Sequence, residues 1–166
     1  MIPPQRFGGN LDNRLHGAGT RLELPVQRPG GLLSVGDPHA LQGDGEVCGT
    51  GIEIPATVRL RVDLLRGEGG PGPRARANRP AHASGRWRVT EGVGPDILGA
   101  ARSAVEDMIT VLGAEGLEPP EVYLLSSIVG ELRLSEVVDE PHFVVSLLFP
   151  EEVIRAAADA PRLPSR

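Results

Sequence analysis

The apolar residues fall into blocks whose period changes along the chain. Leu22, Leu24 and Val26 alternate with Arg21, Glu23 and Pro25, and Pro29-Gly30-Gly31 turns the chain into the short apolar run Leu32-Leu33-Ser34-Val35, bounded by Gly36. The clearest period of two runs through Val58, Leu60, Val62 and Leu64 against Arg59, Arg61 and Asp63. It predicts a strand with one face buried and one in water, as in an antiparallel sheet. Over residues 66–86 large apolar side chains almost vanish among Gly, Pro, Arg and Ala. Such a stretch cannot offset its ordering entropy and is expected to be a mobile loop. Its arginines read as solvated rather than phosphate-binding, because no aromatic residues interleave with them.

The period then lengthens. Ile97, Leu98, Ala101, Ala104, Val105, Met108, Ile109 and Leu112 recur at helical spacing behind Gly94-Pro95-Asp96, with Gly113 as a stop. Proline suits the first helical turn and Asp96 complements the positive end of the dipole. This predicts an amphipathic helix with Met108 in the core. A second helix is expected to start at Pro119-Pro120-Glu121 and to carry Val122, Leu125, Ser126 and Val129. Leu132-Arg133-Leu134 and the almost wholly apolar run at 143–149 predict strands. The residues after Ala156 read as a tail.

Composition changes this picture in two ways. The 166 residues include 22 glycines and 16 prolines, which favours many turns between short strands over a helical bundle. All 17 basic residues are arginine. Schiff-base catalysis, a phosphate-loop lysine and lysine-dependent amidase triads are therefore excluded for this chain. A net charge of -5 with few aromatics argues against a nucleic-acid partner. A single cysteine implies no oxidising compartment. Residues 1–9 carry no apolar leader and no run approaches a membrane span, so a soluble cytoplasmic protein with no membrane partner is expected.

The candidate chemistry sits between the predicted strands. Asp37, His39, Asp44 and Glu46 lie within ten residues, spaced by Pro38, Gly43 and Gly45, and Asp12 adds a carboxylate in another glycine-rich segment. Glycines let a loop wrap closely round a small site. A carboxylate two residues before a histidine can share a cation with it, and a further carboxylate can act on water beside that cation. The competing reading is ordinary: Asp-Pro and Asp-Gly pairs form turns without any ligand. Cys48 is a candidate nucleophile, with His39 as base and Asp44 as orienter, or else a small buried apolar residue. His16, His82 and His142 stand apart from the carboxylates in sequence and read as structural or surface residues.

The words Gly8-Gly9-Asn10-Leu11-Asp12, Leu22-Glu23-Leu24-Pro25-Val26, Ser34-Val35-Gly36-Asp37-Pro38-His39-Ala40 and Gln42-Gly43-Asp44-Gly45-Glu46-Val47-Cys48-Gly49-Thr50 resemble the acetamidase/formamidase family. So do Gly92-Val93-Gly94-Pro95-Asp96, Ala100-Ala101-Arg102, and Leu132-Arg133-Leu134 ahead of Val137-Val138-Asp139. The resemblance implies a mainly β fold with an α/β portion: a CUB-like β-sandwich with two or three packed helices over residues 1–156, then a tail over 157–166. It implies hydrolysis of short linear amides such as formamide or acetamide. A divalent metal, expected to be zinc, would be held by Asp12, Asp37 and His39, with Glu46 or Asp44 as general base and the Gly43 and Gly45 amides stabilising an oxyanion. Family members are roughly double this length, so an N-terminal half is expected to be missing, along with any lysine the chemistry needs. The expected partners are a small amide and either further copies of this chain or a second chain supplying that half. The alternative is a shortened, catalytically silent homologue that serves as a binding or assembly module.

Overall fold

The computed structural model describes residues 3–78 and 85–159. They form β1 (Arg21–Glu23), β2 (Arg74–Asn78), β3 (Arg86–Gly94), α1 (Ile97–Gly113), α2 (Pro119–Val129), β4 (Glu131–Glu136), β5 (Phe143–Pro150) and α3 (Glu151–Asp159). The strands make one antiparallel sheet in the order β1-β2-β3-β5-β4. The fold is mainly β with packed helices, as the sequence led us to expect.

Residues paired directly across antiparallel strands share a face. Thr90, Leu147 and Leu132 therefore point to one side, and Glu91, Ser146 and Arg133 to the other. The first side carries the helices. Ala104, Met108 and Leu112 of α1, Val122 of α2 and Ile154 of α3 close over Leu147 and Phe149, all buried. Thr90 Oγ1 donates to Ala104 O at 2.7 Å, which draws α1 down onto β3. The second side holds a smaller core of Leu15, Ala75, Ala77, Trp87, Val89 and Leu148 beneath the N-terminal segment.

The helix ends follow their local chemistry. Asp96 is the N-cap of α1 rather than a first-turn residue, and its side chain accepts the Gly99 N–H at 2.7 Å. The buried stripe is Ala100, Ala104, Asp107, Met108 and Leu112, so the expected apolar face rotates: Ile97 and Leu98 are exposed. In α2 a capping box joins Glu118 and Glu121, with Pro119 in the first turn.

Several strand expectations need correction. The run at 32–35 and the alternating run at 58–64 belong to no strand among the described residues, and their apolar side chains are exposed. Conversely, β2 lies inside the stretch expected to be a mobile loop, and residues 79–84 of that stretch fall outside the described residues. Its inward positions are Ala75 and Ala77, too small to signal a strand by hydrophobicity yet buried against Val89 and Trp87. Of the arginines there, Arg66, Arg76 and Arg86 are exposed, in line with the solvated reading, whereas Arg74 is not. Arg74 makes a two-pronged bond to the buried Asp107 of α1, at 2.8 and 2.6 Å. Arg88 pairs with Glu115. Helix α3 runs past Ala156 to Asp159, and residues 160–166 lie outside the described residues.

Candidate functional site

The site lies on the sheet side away from α1 and α2, where β4 is irregular. The β4–β5 register shifts between Leu134 and Glu136. A bulge turns both Ser135 and Glu136 inward, and both are buried. Ser135 Oγ then reaches Ser146 Oγ at 2.7 Å, and Glu136 Oε2 accepts the Asp12 N–H at 3.0 Å. Asp139, beyond the end of β4, accepts from Asn10 Nδ2. Asp12, Glu136 and Asp139 each offer an oxygen within 4.8 Å of the others.

A second set arrives from the exposed arm that follows β1. Residues 38–54 close on themselves through Ala40 N–H to Ile52 O (2.8 Å), Ile52 N–H to Leu41 O (2.9 Å) and Ile54 N–H to Pro38 O (3.1 Å). Gly51 is required there, because a Cβ would stand 2.8 Å from His39 Nδ1. Gly45 docks the arm on the bulge: its N–H reaches Ser135 O at 3.2 Å and its carbonyl accepts Val137 N–H at 3.1 Å. Glu46 follows with φ +47°, a left-handed conformation unusual for a residue with a side chain, and is held buried. Asp12, Asp37 and His39 bring one ligand atom each within 4.8 Å of the others. Asp12 thus belongs to both groups.

Gln42 orients the histidine. His39 Nδ1 lies 2.9 Å from Gln42 Oε1, while the Gln42 amide donates to Asp12 O. That geometry makes Nδ1 the donor and aims Nε2 at Glu53 (3.1 Å) and Asp37 (3.5 Å). The Gln42 hydrogen bond, with Glu53 and Asp37, raises the His39 pKa against the effect of burial. Burial first, then the Asp12 charge, pushes Glu46 up to about 7. Burial, with Asp139, Asp12 and Glu46 nearby, pushes Glu136 up to about 8 although the Asp12 amide opposes it. Burial also raises Asp12, aided by Asp37, Asp139 and Glu53.

These residues fit a divalent cation. The donors are carboxylate oxygens and one imidazole nitrogen, the set that zinc and harder divalent ions accept. Glu136 Oε1 is fully buried with no hydrogen-bond partner, and its neighbours are carboxylates. A positive charge at this point relieves both costs.

Other expected site residues lie elsewhere. Asp44 faces Arg133 at 3.0 Å and Arg14 at 3.9 Å, outside both carboxylate groups. Cys48 is exposed, which overturns its reading as a buried residue; its thiol lies 3.6 Å from Thr50 O. Both nitrogens of His39 have hydrogen-bond partners other than Cys48, at Gln42 and Glu53. The Gly45 N–H is spent on Ser135, whereas Gly43 is exposed. Glu136, Asp139 and Gln42 carried no assigned role in the sequence reading; the bulge and 124 residues of separation hid the Asp12–Glu136 contact.

His16 has a structural role, within the expectation, but the fold brings it to a carboxylate. Its Nε2 lies 2.7 Å from Glu91 Oε1, which Asn13 Nδ2 also reaches at 2.8 Å, beside Ser146. His142 donates from Nδ1 to Pro4 O at 2.9 Å, while His82 is outside the described residues. Burial lowers the His16 pKa, but the Glu91 charge and hydrogen bond outweigh it and the net shift is upward. A histidine raised on folding contributes stability that is complete below about pH 6.5 and is lost as pH rises through the folded value. The stability of wild type minus that of His16→Gln should therefore fall as pH rises above about 6.5 in urea titrations. A difference that does not vary with pH rules out the ion pair as its source.

Residues 1–156 match the model of the Acetamidase/Formamidase family. The formamidase of Methylophilus methylotrophus is 31% identical over 182 residues, covering 98% of this chain and 44% of the relative. The acetamidase of Mycolicibacterium smegmatis is 43% identical over 68 residues, 40% of this chain and 16% of that protein. The crystal structure of an acetamidase from Yersinia enterocolitica superposes with a TM-score of 0.80 at 36% identity, over 91% of this chain and 44% of the other. A predicted acetamidase/formamidase from Thermoanaerobacter tengcongensis also gives 0.80, at 30% identity, over 92% and 48%. The chain thus spans less than half the length of these relatives. With its family model matched over nearly all the described residues, the chain belongs to the acetamidase/formamidase family.

Proposed function

We propose that this site hydrolyses short linear amides, with formamide and acetamide as the simplest substrates, to a carboxylate and ammonia. Asp12, Asp37 and His39 hold a divalent cation, zinc in this reading, which when bound polarises the amide carbonyl and acidifies water. The observation that carries the reading is the meeting of Asp12, Asp37 and His39 around one point, next to a buried Glu46 that titrates near neutrality.

Glu46, rather than the arginine-paired Asp44, takes a proton from the attacking water and delivers it to the departing nitrogen. A carboxyl group pushed up to about 7 serves both steps, because it both accepts and releases a proton near neutral pH. Asp44, held by Arg133 and Arg14, fixes the loop that carries Glu46. With the Gly45 amide committed, Gly43 is left as the backbone donor for the oxyanion. Gln42 keeps His39 in the tautomer that presents Nε2.

Ammonia release from formamide, measured with and without added zinc, tests the reading. Glu46→Gln is expected to lower turnover by about 10²–10⁴-fold while leaving bound metal unchanged. Full activity in that variant would remove Glu46 from proton transfer. Absence of turnover in metal-loaded, fully assembled wild type would reject the hydrolase.

A further inference from the structure

The alternating run at 58–64 forms no helix or turn and belongs to no ladder among the described residues. Val58, Leu60, Val62 and Leu64 are between 52% and 68% exposed. On the opposite row Arg61 Nε pairs with Asp63 at 3.3 Å. A strict period of two with its apolar row in water is the sequence of a strand whose neighbour and covering layer come from elsewhere. Meanwhile the relatives that this chain matches have more than as much polypeptide again, since it spans 44% and 48% of them.

We infer, from the length of the family members and independently of the hydrolase reading, that residues 58–64 are a docking strand for the polypeptide corresponding to the part of those relatives that this chain does not span. That polypeptide is either a separate chain or continuous with this one. A second copy of this chain fits less well. Pairing two 58–64 segments yields a two-stranded ribbon with its valines and leucines still in water, and such ribbons are marginal alone. The occupant must bring both an edge strand and an apolar layer. Docking also bears on the site, because the same arm delivers Asp37, His39 and Glu46. Anchoring its far end at 58–64 fixes the segment whose near end holds the ligands.

The test is to purify the tagged chain from its own cells and compare amide exchange in the assembled form with that of the chain alone. The associated polypeptide, whether separate or continuous, should align with the unspanned remainder of the formamidase. Amides 58–64 should exchange freely in the chain alone and gain about 100-fold protection in the assembly. Val58→Asp with Val62→Asp should abolish association yet leave the thermal transition of the isolated chain unchanged, since both side chains already face water. Glu46→Gln should retain association while losing turnover, which separates this proposal from the catalytic one. Three results would overturn it: slow exchange at 58–64 in a lone monomer, a homo-oligomer dissociated by the paired aspartates, or an associated protein of unrelated sequence.

Discussion

Asp12→Asn should strip the divalent cation from the protein. Asp12 is the one residue common to both groups, the first with Asp37 and His39 and the second with Glu136 and Asp139. Loss of groups that merely orient a ligand commonly weakens metal affinity by about 10–100-fold, so loss of a direct ligand should cost about 100-fold or more. The fold should survive, because the Asp12 contact to Glu136 is made by its backbone N–H. The metal-free variant should melt at the same temperature as wild type or higher. Burial, helped by the nearby carboxylates and opposed by the attraction of His39, raises the Asp12 pKa, so a neutral amide costs less to bury there than the carboxylate. Zinc titration by calorimetry and thermal melts of the metal-free proteins check both halves. Unchanged affinity, or a melting point several degrees lower, would mean that Asp12 is structural rather than a ligand.

Gly92→Ala should be among the most damaging single changes in the chain. A Cβ on Gly92 would lie 1.8 Å from Ala100 O and 2.9 Å from Ala104 N, both backbone atoms of α1. Helix and strand touch main chain to main chain here, and no side-chain rotation can absorb a methyl group. The helix must lift, loosening Ala104, Met108 and Leu112 from Leu147 and Phe149. Overpacking a core typically costs about 1–3 kcal/mol, and this contact belongs at or above the upper end. That is a large share of the roughly 5–15 kcal/mol available to a domain. Gly113→Ala is the control: it ends the same helix with nothing within 4 Å, and should be neutral or stabilising by up to about 1 kcal/mol. Urea unfolding of the two variants distinguishes them, and a Gly92→Ala midpoint matching wild type would contradict the close approach.

Local chemistry made α1, α2 and the buried strand β5 legible in advance. Pro119, the Asp96 cap and the uniform apolar run at 143–149 each leave a mark within a few residues. β2 and β3 escaped because their inward sides use Ala75, Ala77 and Glu91 and because Gly92 interrupts the pattern. The 58–64 row was legible as a strand pattern, yet pattern alone does not say which molecule supplies the neighbouring strand.

For the site, the sequence by itself determined the supply of donors. Asp37, His39, Asp44 and Glu46 lie close along the chain, and the family words add Asp12. Tertiary structure decided which of them meet. The β4 bulge brings in Glu136, whose backbone partner Asp12 is 124 residues away, and Arg133 draws Asp44 aside. The same contact geometry spends the Gly45 amide on Ser135 and turns His39 Nε2 toward the carboxylates through Gln42. The physical reason is reach. Turn chemistry and periodicity act over a few residues, whereas burial, repulsion between carboxylates and competition for hydrogen-bond donors depend on segments that only folding brings together.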